Sequence, residues 1–376
     1  MTVEATLLPP LSAAQPAPVR RRWVAPVGVL VAAGLLAVIA YYAQRGVGPT
    51  RITNPDVIGT PRPVRPLFGF KHWITLHEIG TILMMVTIVT VVVVGWRRHP
   101  RHPYLLMTIA ATAIVWQDPI MNWAPYAVYN PDLWHWPVSW PLVSLSPTVE
   151  PFIVIGYASF YFGPFFPAMW VLRRIQAKRP RGSFVWKHPL VTMAVLVYAI
   201  GFVFDAFLEI FLVRTGLYTY SHVMPFGSVF TGKAYQFPLL VESSLVTLVM
   251  IPAALLCYRD DTGRTQAEKL ANKITAFRGR PALGTFAVMF AILNVAYFCY
   301  GGGFAIIRAT KSATSVACPY PFPEARVYDP QGFYEENGQP GPYFSGIWDG
   351  WESAQSGRPT VTPPAGGGRC GAAARG

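Results

Sequence analysis

Residues 190–213 read LVTMAVLVYAIGFVFDAFLEIFLV, an apolar run that ends at Arg214. It exceeds the about 20 residues that a helix needs to cross a bilayer. It nevertheless carries Asp205 and Glu209, with no Lys or Arg inside the run to pair with them. With a rise of about 1.5 Å per residue, the two acids lie roughly 13 and 7 Å from Arg214, and their i, i+4 spacing puts both on one helix face, looking into the same cavity. A carboxyl group at lipid depth is costly, so an intramembrane acid marks a functional site by default.

The whole chain follows the same pattern. Of its 376 residues 52% are hydrophobic and only 13% are charged, against about 25% charged in a soluble domain. That excludes an ordinary cytosolic globule. The net charge of +13, from 31 Lys and Arg against 18 Asp and Glu, would suggest nucleic acid in a soluble protein. Here it marks loops facing an anionic leaflet, and the expected partner is the lipid bilayer with no nucleic acid. Six of the 18 acids, Glu78, Asp118, Glu150, Asp205, Glu209 and Glu242, fall inside or at the lip of apolar runs.

The sequence predicts an all-α polytopic membrane protein of seven helices in one domain over 23–300. The spans are 23–43, 73–96, 104–117, 149–172, 190–213, 237–258 and 282–300. Residues 1–22 form a Pro- and Ala-rich tail ending in Arg20-Arg21-Arg22. The run after it reads as a retained helix, with a cleaved signal peptide as the alternative. The third span should end at Asp118-Pro119, and Pro164 and Pro167 should kink the fourth. Residues 301–352, rich in Tyr, Phe, Gly and Pro, read as a non-helical lid candidate, and 353–376 as a disordered low-complexity tail.

Alternate loops sort 18 Lys and Arg to one side and 13, over longer segments, to the other. This predicts a cytoplasmic N-terminus, an external C-terminus and a multi-pass protein of the bacterial cytoplasmic membrane. All six acids then fall in the outer half. The loop 121–147 has no basic residue but carries Trp123, Trp134, Trp136 and Trp140. It reads either as an interfacial aromatic belt or as a rigid cap over a site.

His77-Glu78 begins like a metalloprotease helix, but Gly80 and Thr81 follow where the second histidine belongs. Asp260-Asp261 reads as a solvated turn. Cys257, Cys299, Cys318 and Cys370 lack metal-ligand spacing. There is no phosphate loop and no serine-nucleophile elbow, so no metal and no cofactor is expected. What remains is a carboxyl cluster with neutral polar company: Gln117 and Asn122 near Asp118, Tyr235 and Gln236 before Glu242, and Asn294 in the last helix. Burial away from cations favours the neutral form of a carboxyl, and a protonated acid beside an ionised one is what general acid/base catalysis needs. For Glu78, Glu150 and Glu242 the alternative is helix capping. Asp205 and Glu209 lie too deep to cap.

From Trp116-Gln117-Asp118-Pro119 through Tyr129-Asn130-Pro131, and then Ser146-Pro147 to Glu150-Pro151, the chain resembles the AveC family, the membrane-bound spirocyclases of avermectin-, milbemycin- and meilingmycin-type polyketide biosynthesis. The likeness continues in Asp205 to Glu209, Gly216-Leu217-Tyr218-Thr219-Tyr220, Tyr235-Gln236-Phe237-Pro238 with Glu242, and Tyr328-Asp329 to Gly341-Pro342. It implies closure of a dihydroxy-ketone on a lipophilic macrolide polyketide substrate into a 6,6-spiroketal with set stereochemistry. In some members it also implies dehydration of the neighbouring ring alcohol. Spiroketal formation needs protons delivered to a carbonyl and to a departing hydroxyl, stabilisation of an oxocarbenium, and proton removal from two alcohols, all within reach of carboxyl groups. Asp205 and Glu209 are then read as general acid and oxocarbenium stabiliser, Asp118 and Glu242 as base and second acid, and Glu150 as a further catalytic candidate. Tyr235, Gln236 and Asn294 would orient the hydroxyls, with Gln117, Asn122, His77 and Glu78 as further substrate contacts. Paired buried acids also suit a proton-coupled permease or transporter, and a non-catalytic assembly partner is a third reading. Against transport stand the lack of an inverted repeat and the gathering of the acids at one face.

Overall fold

The computed structural model describes residues 67–316, apart from 126, 131, 138, 139, 141, 144, 145, 147, 148, 221, 234 and 311, together with Leu30 and Ala33. The tails, the lid candidate beyond 316 and the predicted span 23–43 lie outside the described residues, save that Leu30 and Ala33 are helical. Among the described residues six helical runs are long and apolar enough to cross a membrane.

The first is α1, Trp73–Arg98, whose last turn carries Arg97 and Arg98, where cations suit the negative end of the helix dipole. The second begins as α2, Pro103–Ala113, with proline in its first turn and the His102 ring accepting from the Tyr104 amide. It tightens into a 3-10 turn, Ile114–Gln117, and continues as α3, Asp118–Trp123. The predicted end at Asp118-Pro119 is therefore corrected. Pro119 falls in the first turn of α3, where a missing N–H costs no hydrogen bond.

The third run is in pieces: a 3-10 turn Phe152–Gly156, α4 Tyr157–Phe162 and α5 Phe165–Ala177. Its break falls at Gly163-Pro164, whereas Pro167 sits harmlessly in the first turn of α5. After the short α6, Phe184–Lys187, come α7, Pro189–Arg214, and α8, Leu239–Cys257. A capping box of Thr265 and Glu268 starts α9, Gln266–Lys273. The last run is α10, Pro281–Ala309.

Against expectation α10 does not stop at Tyr300 but continues through Gly301, Gly302 and Gly303. Glycine is weak in an isolated helix, yet here it permits close approach. A Cβ on Gly301 would stand 2.5 Å from the Met121 sulfur, and one on Gly303 2.8 Å from Leu245 Cδ1. Small residues at such contacts are the usual means of packing membrane helices.

α8 is the central helix and packs on α7, α10, α4 and α2. Val246, Val249, Met250, Ala253 and Ala254 bury there. α1 is peripheral: it rests on α2 and the turn at 152–156, and leaves Leu76, Ile79, Leu83 and Val86 exposed. Two antiparallel ribbons complete the fold. β1, Ala127–Tyr129, pairs with β2, Tyr218–Tyr220, and β3, His222–Val223, with β4, Ser315–Val316. The ribbons lie at the end of the bundle where α3, α7 and α10 finish and α1, the 152–156 turn and α8 begin. All six acids in question are at that end, and Arg97, Arg98, Arg173, Arg174 and Arg259 are at the other.

The α7–α8 contact depends on Gly201, whose Cβ would meet Met250 Sδ at 2.7 Å and Thr247 Cγ2 at 3.1 Å. Gly201→Val should lower stability by about 1–3 kcal/mol through overpacking, read as a depressed thermal midpoint of the detergent-solubilised protein. Gly182→Val, at an exposed site with nothing within 4 Å, should leave that midpoint in place.

Candidate active site

α7 ends at Thr215, and Gly216 takes φ +76°, the left-handed conformation that turns the chain back as β2. Along a strand alternate residues share a face, so Tyr218 and Tyr220 point the same way, and Tyr129 stands opposite Tyr218 in the register. This ribbon lines one side of a cavity of about 170 Å³ whose other walls come from α1, the 152–156 turn, α3, α4, α7, α8 and α10. Leu208, Leu212, Val246 and Met84 give it an apolar lining. Its polar groups are Glu209, Glu242, Asn122 and the phenols of Tyr129, Tyr157, Tyr161, Tyr218, Tyr220, Tyr297 and Tyr300.

The acids form two groups. Glu242, in the first turn of α8, accepts from the Tyr300 hydroxyl at 3.0 Å on both carboxyl oxygens. Glu209 Oε2 accepts from Tyr220 at 3.5 Å. Asp205, one turn earlier on α7 and fully buried, is outside the cavity lining. It lies beside Ser243, and neither side chain has a partner within hydrogen-bonding distance among the described residues. The expectation that Asp205 and Glu209 face one cavity is thus met for Glu209 alone.

The second group is Asp118 and Glu150. Asn122 Nδ2 donates to Asp118 Oδ2 at 2.6 Å and reaches Glu150 Oε2 at 3.3 Å, so one amide bridges two carboxyls. Asp118 Oδ1 also accepts from Tyr297 at 3.0 Å and from Tyr157, and these two hydroxyls are 2.8 Å apart. Asn122, Tyr157 and Tyr297 all line the cavity, and the two carboxyls stand behind them. Tyr297 and Tyr300, on successive turns of α10, stack at 5.5 Å and join the groups.

None of the three acids with a capping alternative makes a side-chain cap. Glu78 and Glu150 are outside the first turns, and Glu242 is held by Tyr300. The described part of the Trp-rich loop at 134–136 lies along residues 150–152. The Trp136 amide donates to the Glu150 carbonyl at 2.9 Å, the Phe152 amide to the Trp134 carbonyl at 3.0 Å, and the Trp136 ring packs edge-on against Phe152.

Several expected substrate contacts are placed elsewhere. Gln117 donates to Asn294 Oδ1, which also accepts from Trp116 Nε1 at 2.9 Å, and this tie joins the second run to α10. Gln236 Nε2 donates to the carbonyls of Tyr220 and Ser315 at 2.9 and 3.1 Å, bracing the two ribbons. Tyr235 lies under the Arg214 guanidinium at 4.3 Å. His77 bonds Thr215 Oγ1 at 2.8 Å and fastens α1 to the end of α7. Glu78 is buried but outside the cavity lining. For polar side chains in an apolar bundle, satisfying each other and the backbone took precedence over facing the cavity.

Sequence reading missed the tyrosines. Their signal was spacing: Tyr157 and Tyr161 at i, i+4, Tyr297 and Tyr300 at i, i+3, and Tyr218 and Tyr220 at i, i+2, each the period of its element. Among the described residues no group of three His, Cys, Asp or Glu side chains could hold a metal ion.

Helices long and apolar enough to cross a membrane surround a half-open pocket of carboxyls and phenols, the character of a polytopic membrane protein. The model of the AveC-like spirocyclase family matches residues 96–328, more than half of the sequence, and the chain belongs to that family. No curated protein and no solved structure matches it. Membership points to an enzyme that forms spiroketals in polyketide biosynthesis, and every cavity carboxyl lies in the matched region.

Glu150 precedes the span that begins at Phe152, and burial, then the neighbouring Asp118 charge, push its carboxyl well above 4.5. It therefore binds a proton more tightly in the folded state than in the unfolded chain. Its contribution to stability is complete below the ordinary carboxyl range and is lost as pH rises through the raised folded value. The thermal midpoint should fall toward alkaline pH, and Glu150→Gln should flatten that fall; an unaltered slope in the variant would contradict this account.

Proposed function

We propose that the cavity closes a dihydroxy-ketone segment of a lipophilic macrolide polyketide into a spiroketal with loss of one water, its carboxyls serving as acids and bases. The observation that carries this reading is the position of Glu209 and Glu242 on the wall of an apolar cavity, with phenols as their hydrogen-bond partners, in a chain of the spirocyclase family.

One carboxyl of the pair, in its acid form, protonates the ketone oxygen while the first hydroxyl adds to the carbonyl carbon and gives its proton to the other. The hemiketal so formed is protonated on its new hydroxyl, which leaves as water. A carboxylate at this point stabilises the oxocarbenium through space. The second hydroxyl then adds from the face left open by the tyrosine walls and gives up its proton. Two protons are delivered and two recovered, so the carboxyls finish as they began.

Asp205 acts through Glu209, one turn further along α7. Asp118 and Glu150 act through Asn122, Tyr157 and Tyr297, which present their hydrogen-bonding groups to the substrate. The same acids serve a dehydration of the adjacent ring alcohol, one protonating the hydroxyl and another removing a proton from the neighbouring carbon. A cavity of about 170 Å³ is smaller than the roughly 300–1,000 Å³ that encloses a drug-sized ligand. It takes the reacting segment and leaves the rest of the macrolide among helices and lipid. With the basic end cytoplasmic, the reaction occurs in the outer half of a bacterial cytoplasmic membrane.

Full-length protein supplied with the open-chain dihydroxy-ketone tests the reading. Glu209→Gln and Glu242→Gln should each lower kcat by about 10²–10⁴-fold with little change in KM, and Asp205→Asn should do so less. Stereopure spiroketal at the normal rate from both glutamine variants, once shown to be folded, would sink it. Binding or flux of the ketone without conversion would turn the reading toward the transporter or assembly partner.

A further inference from the structure

A second concavity lies at the opposite, basic end of the bundle, far from the carboxyl cavity. It holds about 500 Å³ between the outer face of α5 and the start of α2, walled by Tyr104, Phe166, Met169 and Trp170 and rimmed by Arg173 and Arg174. Phe166, Trp170 and Arg173 recur at the spacing of one helix face. Phe166 and Trp170 are 53% and 59% exposed, which is costly in water and natural in lipid.

The rim carries two exposed guanidiniums, and no carboxylate lines the groove. The Arg174 guanidinium lies 4.6 Å over the Trp170 ring. Arg173 donates to the Arg259 carbonyl at 3.4 Å, and Arg259 in turn stands 5.7 Å over Tyr104 and 3.1 Å from His102 Nε2. Arg259 Nε is buried without a partner among the described residues. Of the nearby acids, Glu268 bonds Thr265 in the capping box and acts on His102 through its charge, and Asp260 pairs with Lys269. Burial, then the Arg259 charge, hold His102 below its ordinary range.

We propose that this groove is a binding site for an anionic phospholipid, one acyl chain lying along Phe166, Met169 and Trp170 and the headgroup phosphate between Arg173 and Arg174, with Arg259 behind. Lipid is the occupant because both halves of the site are used. A soluble anion has no need of the aromatic wall, and an apolar ligand has none of three guanidiniums. Basic pockets between helices near the membrane surface recognise anionic headgroups in this way.

Native mass spectrometry of the full-length protein, titrated with phosphatidylglycerol or with phosphatidylcholine of the same chains, reads the preference directly. Each basic side chain near an anionic headgroup contributes about a fivefold preference, so Arg173→Gln with Arg174→Gln should lower it about 25-fold. Arg181→Gln with Lys187→Gln, at the same end but outside the groove, should leave it intact. A readout on the unmutated rim is chain-brominated phosphatidylglycerol in bilayers. It should quench a fluorescence component that disappears in Trp170→Phe, and brominated phosphatidylcholine should quench that component less. Equal binding and quenching by the two lipids would overturn the proposal. So would competition by inorganic phosphate alone at comparable concentration, which would make the site one for a free anion.

Discussion

Asp118, Glu150, Asp205, Glu209 and Glu242 are all buried in the bundle, and none has a Lys or Arg within ion-pair distance among the described residues. Removing an ion from water costs several kcal/mol even after relaxation, roughly 20 in the idealised limit. For all of them but Asp205 the structure offsets this with phenols and one amide. Tyr157 comes from α4, Tyr297 and Tyr300 from α10, Tyr220 from the ribbon and Asn122 from α3. Each of these donors comes from a different part of the chain than the acid it serves, except Asn122, which lies one turn from Asp118. Satisfying the carboxyls is therefore also what ties the helices together. The close approaches at Gly301 and Gly303 set α10 against α3 and α8, whose carboxyls accept from its tyrosines.

Charge is sorted along the bundle axis. At one end lie buried acids with no Lys or Arg in ion-pair distance among the described residues, lined by aromatic rings. At the other lie Arg173 and Arg174, on a groove that no acid lines, open to the periphery on α5. The two arrangements obey opposite demands. The first surrounds carboxyls with phenols and apolar side chains, and the second leaves its guanidiniums exposed beside aromatic rings.

Six spans were legible in the sequence because hydrocarbon depth imposes a length and a composition that few other constraints produce. The acids were legible for the same reason, since each interrupts an apolar run. Helix continuity was less so. Asp118-Pro119 and the glycines after Tyr300 look like terminators, but neighbours compensate: Pro119 falls where no donor is needed, and Met121 and Leu245 fill the space that the glycines leave. The tyrosines escaped notice because a phenol in an apolar run looks the same whether it fills space or donates a proton. Gln117, Asn294 and Gln236 misled for the converse reason. A polar residue in such a run announces that it has a partner but not which one, and theirs proved to be each other and the backbone. The ribbon of β1 and β2 has three-residue strands, so a single i, i+2 pair is all the periodicity that β2 shows.

α10 is one continuous helix, and it carries Tyr297 and Tyr300 to carboxyls on α3 and α8 respectively. A rigid rod cannot turn at one residue and stay still at the next. Any rotation of α10 that lengthened the bond to Glu242 would shift the bond to Asp118 in the same instant. The two acid groups, though they share no atom, are geared to a single shaft.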